Sequence, residues 1–180
     1  MTAAMLPAIL LVFVVLNQIY APFGPLPGGL APDIALLVAV YGGSVYAPGA
    51  AAALGFAAGL LQETLAGGML GVEALSKGLT GLAWTRLWQQ VVGDSPWLQV
   101  PLLAGLTVFD GTIFFSTSML FSTHAASWDA FIPLLWRQLL SNLLLGPILL
   151  ILFAAMHRRL RRMGRSSRRR HEPAFTFQPE

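Results

Sequence analysis

Five ionisable side chains interrupt otherwise apolar stretches of the chain: Glu63, Glu73, Lys77, Asp110 and Arg137. Glu73 and Lys77 are spaced i, i+4 with the acid first, the better orientation for an ion pair along one helix. Arg137, with Gln138, Ser141 and Asn142 beside it, offers a planar fork suited to Glu63 or Asp110. Each such charge costs about 2.5–3.5 kcal/mol to place in a bilayer unless it is paired or hydrated. Two chemistries fit this buried polar layer: a proton or substrate pathway, or a set of ion pairs that fixes the register of the helices.

Other chemistry lacks its residues. The 180 residues contain no cysteine, so thiolate metal sites, thiol nucleophiles and disulfides are excluded. His124, His157 and His171 have no metal-ligand spacing. Hydroxyls are plentiful at Ser116, Thr117, Ser118, Ser122 and Thr123, with His124 nearby, but no GxSxG or HExxH surrounds them. Serine and threonine in apolar helices usually bond to their own preceding carbonyls. No catalytic, cofactor-binding or metal-binding residue is therefore assigned, and the chain reads as a non-enzyme.

The elements that must position these charges are helices in lipid. The chain is 56% hydrophobic and 11% charged, with mean hydropathy +0.67, whereas soluble domains carry about 25% charged residues. Nothing alternates at period two, and isolated strands cannot span lipid. The fold class read from this is an all-α integral membrane protein, a six-helix transmembrane bundle. Its spans are expected at about 5–20, 33–46, 48–66, 70–90, 97–121 and 131–156, making residues 1–156 the membrane domain. The first span has no basic n-region or small-residue cleavage site, which reads as a retained helix. Asp33, after Pro32, reads as a helix cap. Gly42-Gly43 and Pro48 leave almost no loop between spans two and three, the weakest pair, and Gly146-Pro147 marks a kink in the sixth.

Charge asymmetry sets the expected orientation. From His157 onward eight arginines face only Glu172 and Glu180, a balance of +6, while residues 1–156 carry −3. Positive flanks stay inside, so both termini are expected in the cytoplasm. Glu63, Glu73, Lys77 and Arg137 then fall in the outer half of the bundle, with Asp110 nearer its middle. Residues 157–180 read as a basic, partly disordered tail. Within it Arg158, Arg159, Arg161 and Arg162 suit anionic phospholipid. No aromatic stacking platform accompanies them, so nucleic acid is not an expected partner.

Gly55, Gly59, Glu63, Gly67 and Gly71 recur every four residues. On a helix this makes a bare stripe that admits a neighbouring helix closely, the small-xxx-small pattern of packing in lipid. It is the expected partner-helix surface. Gly67-Gly68 reads as a turn from which a second helix returns antiparallel.

These segments carry a resemblance. Ala31-Pro32-Asp33-Ile34, Pro48-Gly49, Gly55-Phe56-Ala57-Ala58-Gly59-Leu60-Leu61-Gln62-Glu63 and Gly68-Met69-Leu70-Gly71 resemble the rod-shape-determining protein MreD family. Glu63 stands where that family usually has Asp. The resemblance covers about residues 31–81. It implies a non-catalytic scaffold of the bacterial inner membrane, within the peptidoglycan synthesis machinery for cell elongation. The implied partners are MreC with its single membrane helix, RodA, a penicillin-binding transpeptidase and the MreB cytoskeleton. It also tilts the buried charges toward a structural role. The Gly55/Gly59 face, or the neighbouring surface of span four, is the expected seat of the MreC helix. The alternative reading is a substrate-capturing subunit of a vitamin transporter, whose fold is thought to be related; its Ala-x-x-x-Ala pattern is matched by Ala4 and Ala8.

Overall fold

In the computed structural model, which describes residues 2–20, 32–67, 71–92, 98–121 and 127–169, the helix Ile34–Val45 (α2) lies inside a ring of the others. Its sequence, IALLVAVYGGSV, is apolar all round, and every residue from Ile34 to Gly43 is buried. A helix without a polar face belongs in the interior. It meets α1 (Thr2–Tyr20), α3 (Pro48–Ala66), α4 (Val72–Leu87), α5 (Gln99–Phe121) and α6 (Trp128–Arg169). Leu10 and Val14 of α1 and Phe153 of α6 close the apolar core, where the Phe153 ring sets its edge against Phe13 and Tyr41, each at 5.7 Å.

The described residues form no strand. Three helices are long and apolar enough to cross a membrane: Pro48–Ala66, Gln99–Leu120 and Trp128–Met163. Met5–Tyr20 and Ile34–Val45 are shorter apolar helices. With 12 residues, α2 rises about 18 Å, well short of a hydrocarbon core of about 30 Å. The other helices shield it, so its ends need not reach a membrane surface. Its hairpin with α3 is tight. The Tyr46 N–H donates to the Gly42 carbonyl at 2.8 Å, and Pro48 opens α3 at its first turn.

Several element boundaries differ from those read in the sequence. Trp128 and Asp129, expected in a loop, open α6, where backbone N–H groups of Ala130 and Phe131 donate to the Ser127 carbonyl. The helix runs on through Pro133 and Pro147 to Arg169, 42 residues in all. That is about 63 Å, so the first part of the expected tail is helix. After Leu87, α4 continues as a π-helical turn, Trp88–Val92. Residues 21–31 of the loop expected at 21–32, Gly68 of the expected Gly67-Gly68 turn, the turn expected at Gly93–Pro96, the segment 122–126 with His124, and residues 170–180 lie outside the described residues.

The closest helix pair is α3 with α4, and it corrects the expected use of the glycine stripe. A Cβ at Gly55 would overlap the Lys77 carbonyl, reaching 2.9 Å from its carbon. At Gly59 it would meet Glu73 and Ala74 backbone at 2.6 and 2.7 Å. From the other side, a Cβ at Gly81 would come within 2.8 Å of the Ala51 carbonyl oxygen. Small residues on both helices let the backbones touch. The stripe is therefore filled by the chain's own next helix and is closed to an outside one. Gly67 and Gly71 do not extend it. Both have open space around them and positive φ, 70° and 103°, which glycine adopts without a Cβ penalty.

Candidate functional site: a buried ion cluster

Lys77 sits five positions into α4, with its side chain 1% exposed. Its Nζ lies 2.5 Å from Asp110 Oδ2, 2.7 Å from Asp33 Oδ2 and 2.8 Å from Glu73 Oε2. One ammonium thus meets three carboxylates contributed by α2, α4 and α5. Asp33 and Asp110 are as buried as the lysine, while Glu73 sits at the cluster's edge. Burying unpaired charge is prohibitive in an apolar setting, so the attraction and the hydrogen bonds around it hold the group together.

Those hydrogen bonds come from all sides. Ser76 Oγ donates to Asp110, at both its carbonyl and its carboxylate, and Thr80 Oγ1 lies 3.4 Å from Asp110 Oδ1. Gln138 Nε2 donates to Asp33 Oδ2 at 2.8 Å. Asn142 Oδ1 accepts the Asp33 N–H at 2.9 Å, and its amide donates to Thr107 Oγ1 at 3.3 Å. The network ties α2, α4, α5 and α6 into one register. Charge-assisted bonds of this kind are about twice as strong as neutral ones.

Asp33 performs two tasks. Its Oδ1 accepts the Leu36 N–H at 2.9 Å, capping α2, while Oδ2 faces Lys77 and Gln138. Proline-aspartate before an apolar run signals the cap in sequence; the second task depends on a lysine 44 positions away and leaves no local trace. Glu73, Lys77 and Asp110 are brought together. Glu63 and Arg137 are not part of the cluster.

Glu63 is buried, but its carboxylate accepts the backbone N–H groups of Gly71, at 2.6 Å, and of Glu73. It caps the N-terminus of α4. Gly71, held at positive φ at that terminus, has no side chain with which to do so. A carboxylate there also complements the helix dipole.

Arg137 is exposed on α6 and makes no ion pair among the described residues. The expected guanidinium fork is replaced by two amides, Gln138 and Asn142. These are i, i+4 neighbours on the inward face. Both amides stand beside the arginine in the sequence, and helix phase turns them inward while Arg137 faces out.

Arg137 does line a cavity of 290 Å³ that opens beside the cluster, together with Asn17, Gln18 and Gln138. Oxygens of Asp33, Glu73 and Asp110 lie within 4.8 Å of one another, a spacing suited to a divalent cation. Lys77 Nζ already contacts all three and takes the cation's place. Chemically the arrangement is a lock: its ion pairs and hydrogen bonds resist separation of four helices.

An all-helical bundle with a lysine-centred ion cluster is the class that fold and site define. No family model matches the chain, and neither a curated protein nor a solved structure does.

Proposed function

We propose that the chain is a non-catalytic scaffold of the bacterial cell-elongation machinery, of the MreD type. In this reading six helices form a multi-pass bundle in the inner membrane with both termini cytoplasmic. Its outer surface receives the single membrane helix of MreC, and through MreC it joins RodA, the penicillin-binding transpeptidase and the MreB cytoskeleton. The ion cluster holds the receiving surface in shape.

The observation that carries the reading is an outward-facing apolar groove of 380 Å³ between α3 and α4. Ala52, Phe56, Leu75, Gly78, Leu79 and Leu82 line it, within the same segment that resembles the MreD family. Phe56, Leu75 and Leu79 are each at least 40% exposed, forming two apolar lips with a small-residue floor. Such a floor lets a partner helix approach closely in lipid, where van der Waals contact drives association. Since Gly55 and Gly59 are occupied by α4, the docking surface lies on the far side of the same helix pair.

Gly78→Leu tests this directly. A Cβ there would touch Ala52 and Phe56 at 3.4 Å, which small adjustments accommodate, and the remaining atoms would fill the groove. The expected result is normal membrane insertion with copurification of coexpressed MreC reduced at least tenfold, or about 1.4 kcal/mol. Unchanged copurification rejects the surface.

The cavity beside Lys77 favours a second reading, capture of a small vitamin-like substrate. At 290 Å³ it sits at the lower limit of the about 300–1,000 Å³ usual for ligand sites, and Lys77 is already saturated by carboxylates. Native mass spectrometry separates the two: a retained small polar molecule supports capture, a retained single-span protein supports the scaffold.

A further inference from the structure

A second groove, of 530 Å³, lies at the opposite end of α4 from the ion cluster, between α2, α4, α5 and α6. Tyr41, Trp84, Trp88, Leu103, Pro147 and Ala154 line it, and its wall is mostly apolar. Two of its polar side chains are already paired within the bundle. Trp84 Nε1 donates to Ser44 Oγ at 2.7 Å, and the Tyr41 hydroxyl meets His157 Nδ1 at 3.0 Å. Gln99 adds an amide side chain to the lining, and most of the wall is apolar.

Its mouth is different. The groove-facing residues of α6 are Pro147, Leu150, Ile151 and Ala154, spaced at three and four. Continuing that spacing gives Arg158 and Arg161, so the apolar stripe runs on into two guanidiniums on the same face. Both are exposed, and both follow His157, whose Nδ1 meets the hydroxyl of Tyr41, a residue of the groove itself. An apolar trough of ligand size with two cations at one end is complementary to one chemistry: a chain of methylenes that carries an anionic head. Trp88, half-buried, adds an amphipathic ring to the groove wall.

We propose that this groove holds one anionic phospholipid, an acyl chain along Trp88, Leu103 and Ala154 and the phosphate against Arg158 and Arg161. The proposal rests on the reading of the chain as a membrane protein and not on MreC. It goes beyond general attraction of a basic segment to a charged leaflet, because it names one site with one occupant.

The full chain, purified in detergent and delipidated, is titrated with phosphatidylglycerol, with phosphatidylcholine, or with glycerol phosphate as a head without chains, and bound lipid is counted by native mass spectrometry. The expected result is saturation at one phosphatidylglycerol per chain, about thirtyfold tighter than phosphatidylcholine, as two arginines near an anionic lipid provide. Glycerol phosphate alone does not bind. Arg158→Gln/Arg161→Gln brings phosphatidylglycerol to the phosphatidylcholine level. Arg86→Gln/Arg137→Gln removes the same charge from exposed positions away from the groove and leaves the preference in place. All four arginines are exposed, so the folded state survives each pair. Ala154→Phe, which fills the trough, releases both lipids. Equal binding of the two lipids by the unaltered chain, or an equal loss in the two double variants, overturns the site. Purification as a stable monodisperse chain without detergent or lipid would instead overturn the membrane reading.

Discussion

Lys77→Met is expected to destabilise the bundle by about 3–5 kcal/mol, the cost of leaving buried charge without its partner. Methionine keeps most of the lysine stem, so packing changes little. What remains is Asp33, Asp110 and Glu73 with no cation among them and with Ser76, Gln138 and Asn142 fixed as their neighbours. Thermal unfolding of the purified protein in detergent, followed by circular dichroism, reads the change. Adding Asp110→Asn to Lys77→Met should recover part of the loss, because one stranded charge is removed while Ser76 keeps its partner. A site built to bind a substrate would show the reverse pattern, with stability nearly unchanged and ligand binding lost.

Gly59→Ala should cost about 3 kcal/mol, at the upper end of what overpacking usually produces. A single methyl suffices because the atoms it meets belong to the α4 backbone at Glu73 and Ala74, which cannot rotate away. Moving α4 outward also pulls Gly71 and Glu73 from the Glu63 carboxylate that caps them. Gly49→Ala, on the same helix with no atom within 4 Å of the new methyl, is expected to be neutral or to stabilise by up to about 1 kcal/mol. The contrast between two chemically identical changes isolates the helix contact. It also means that Gly59→Leu is no test of partner binding, since the fold fails first.

Local signals carried much of the fold in the sequence. Apolar runs, proline and glycine punctuation and the i, i+4 pair Glu73–Lys77 are properties of one helix at a time, and so they were legible. Which surfaces meet is a property of two helices. The glycine stripe announces that some backbone comes close, yet says nothing of whose. Only five residues separate the end of α3 from the start of the chain's own next helix, and so short a connection makes its arrival entropically easy. Asp33 shows the same limit from the other side, because its cap is local and its ion pair is not. Arg137 shows a third: one step around a helix is about 100°, which leaves the arginine at the rim and turns the amide of Gln138 inward. Helix α2 was expected to cross the membrane, yet its apolar sequence serves burial inside the bundle equally well, and only its length of 12 residues distinguishes the two.

The docking groove on the outer face of α3 and α4 is the claim with the most consequence, and the absence of cysteine makes it directly accessible to chemistry. Leu79→Cys places a single thiol on the lip of the groove, and Leu144→Cys places one on the exposed face of α6. Each is labelled with a thiol-reactive photocrosslinker in membranes that also contain MreC. A crosslink to MreC from Leu79→Cys, with none from Leu144→Cys, is the outcome expected. Crosslinking from position 144 alone, or from neither position while the two proteins still copurify, would contradict it.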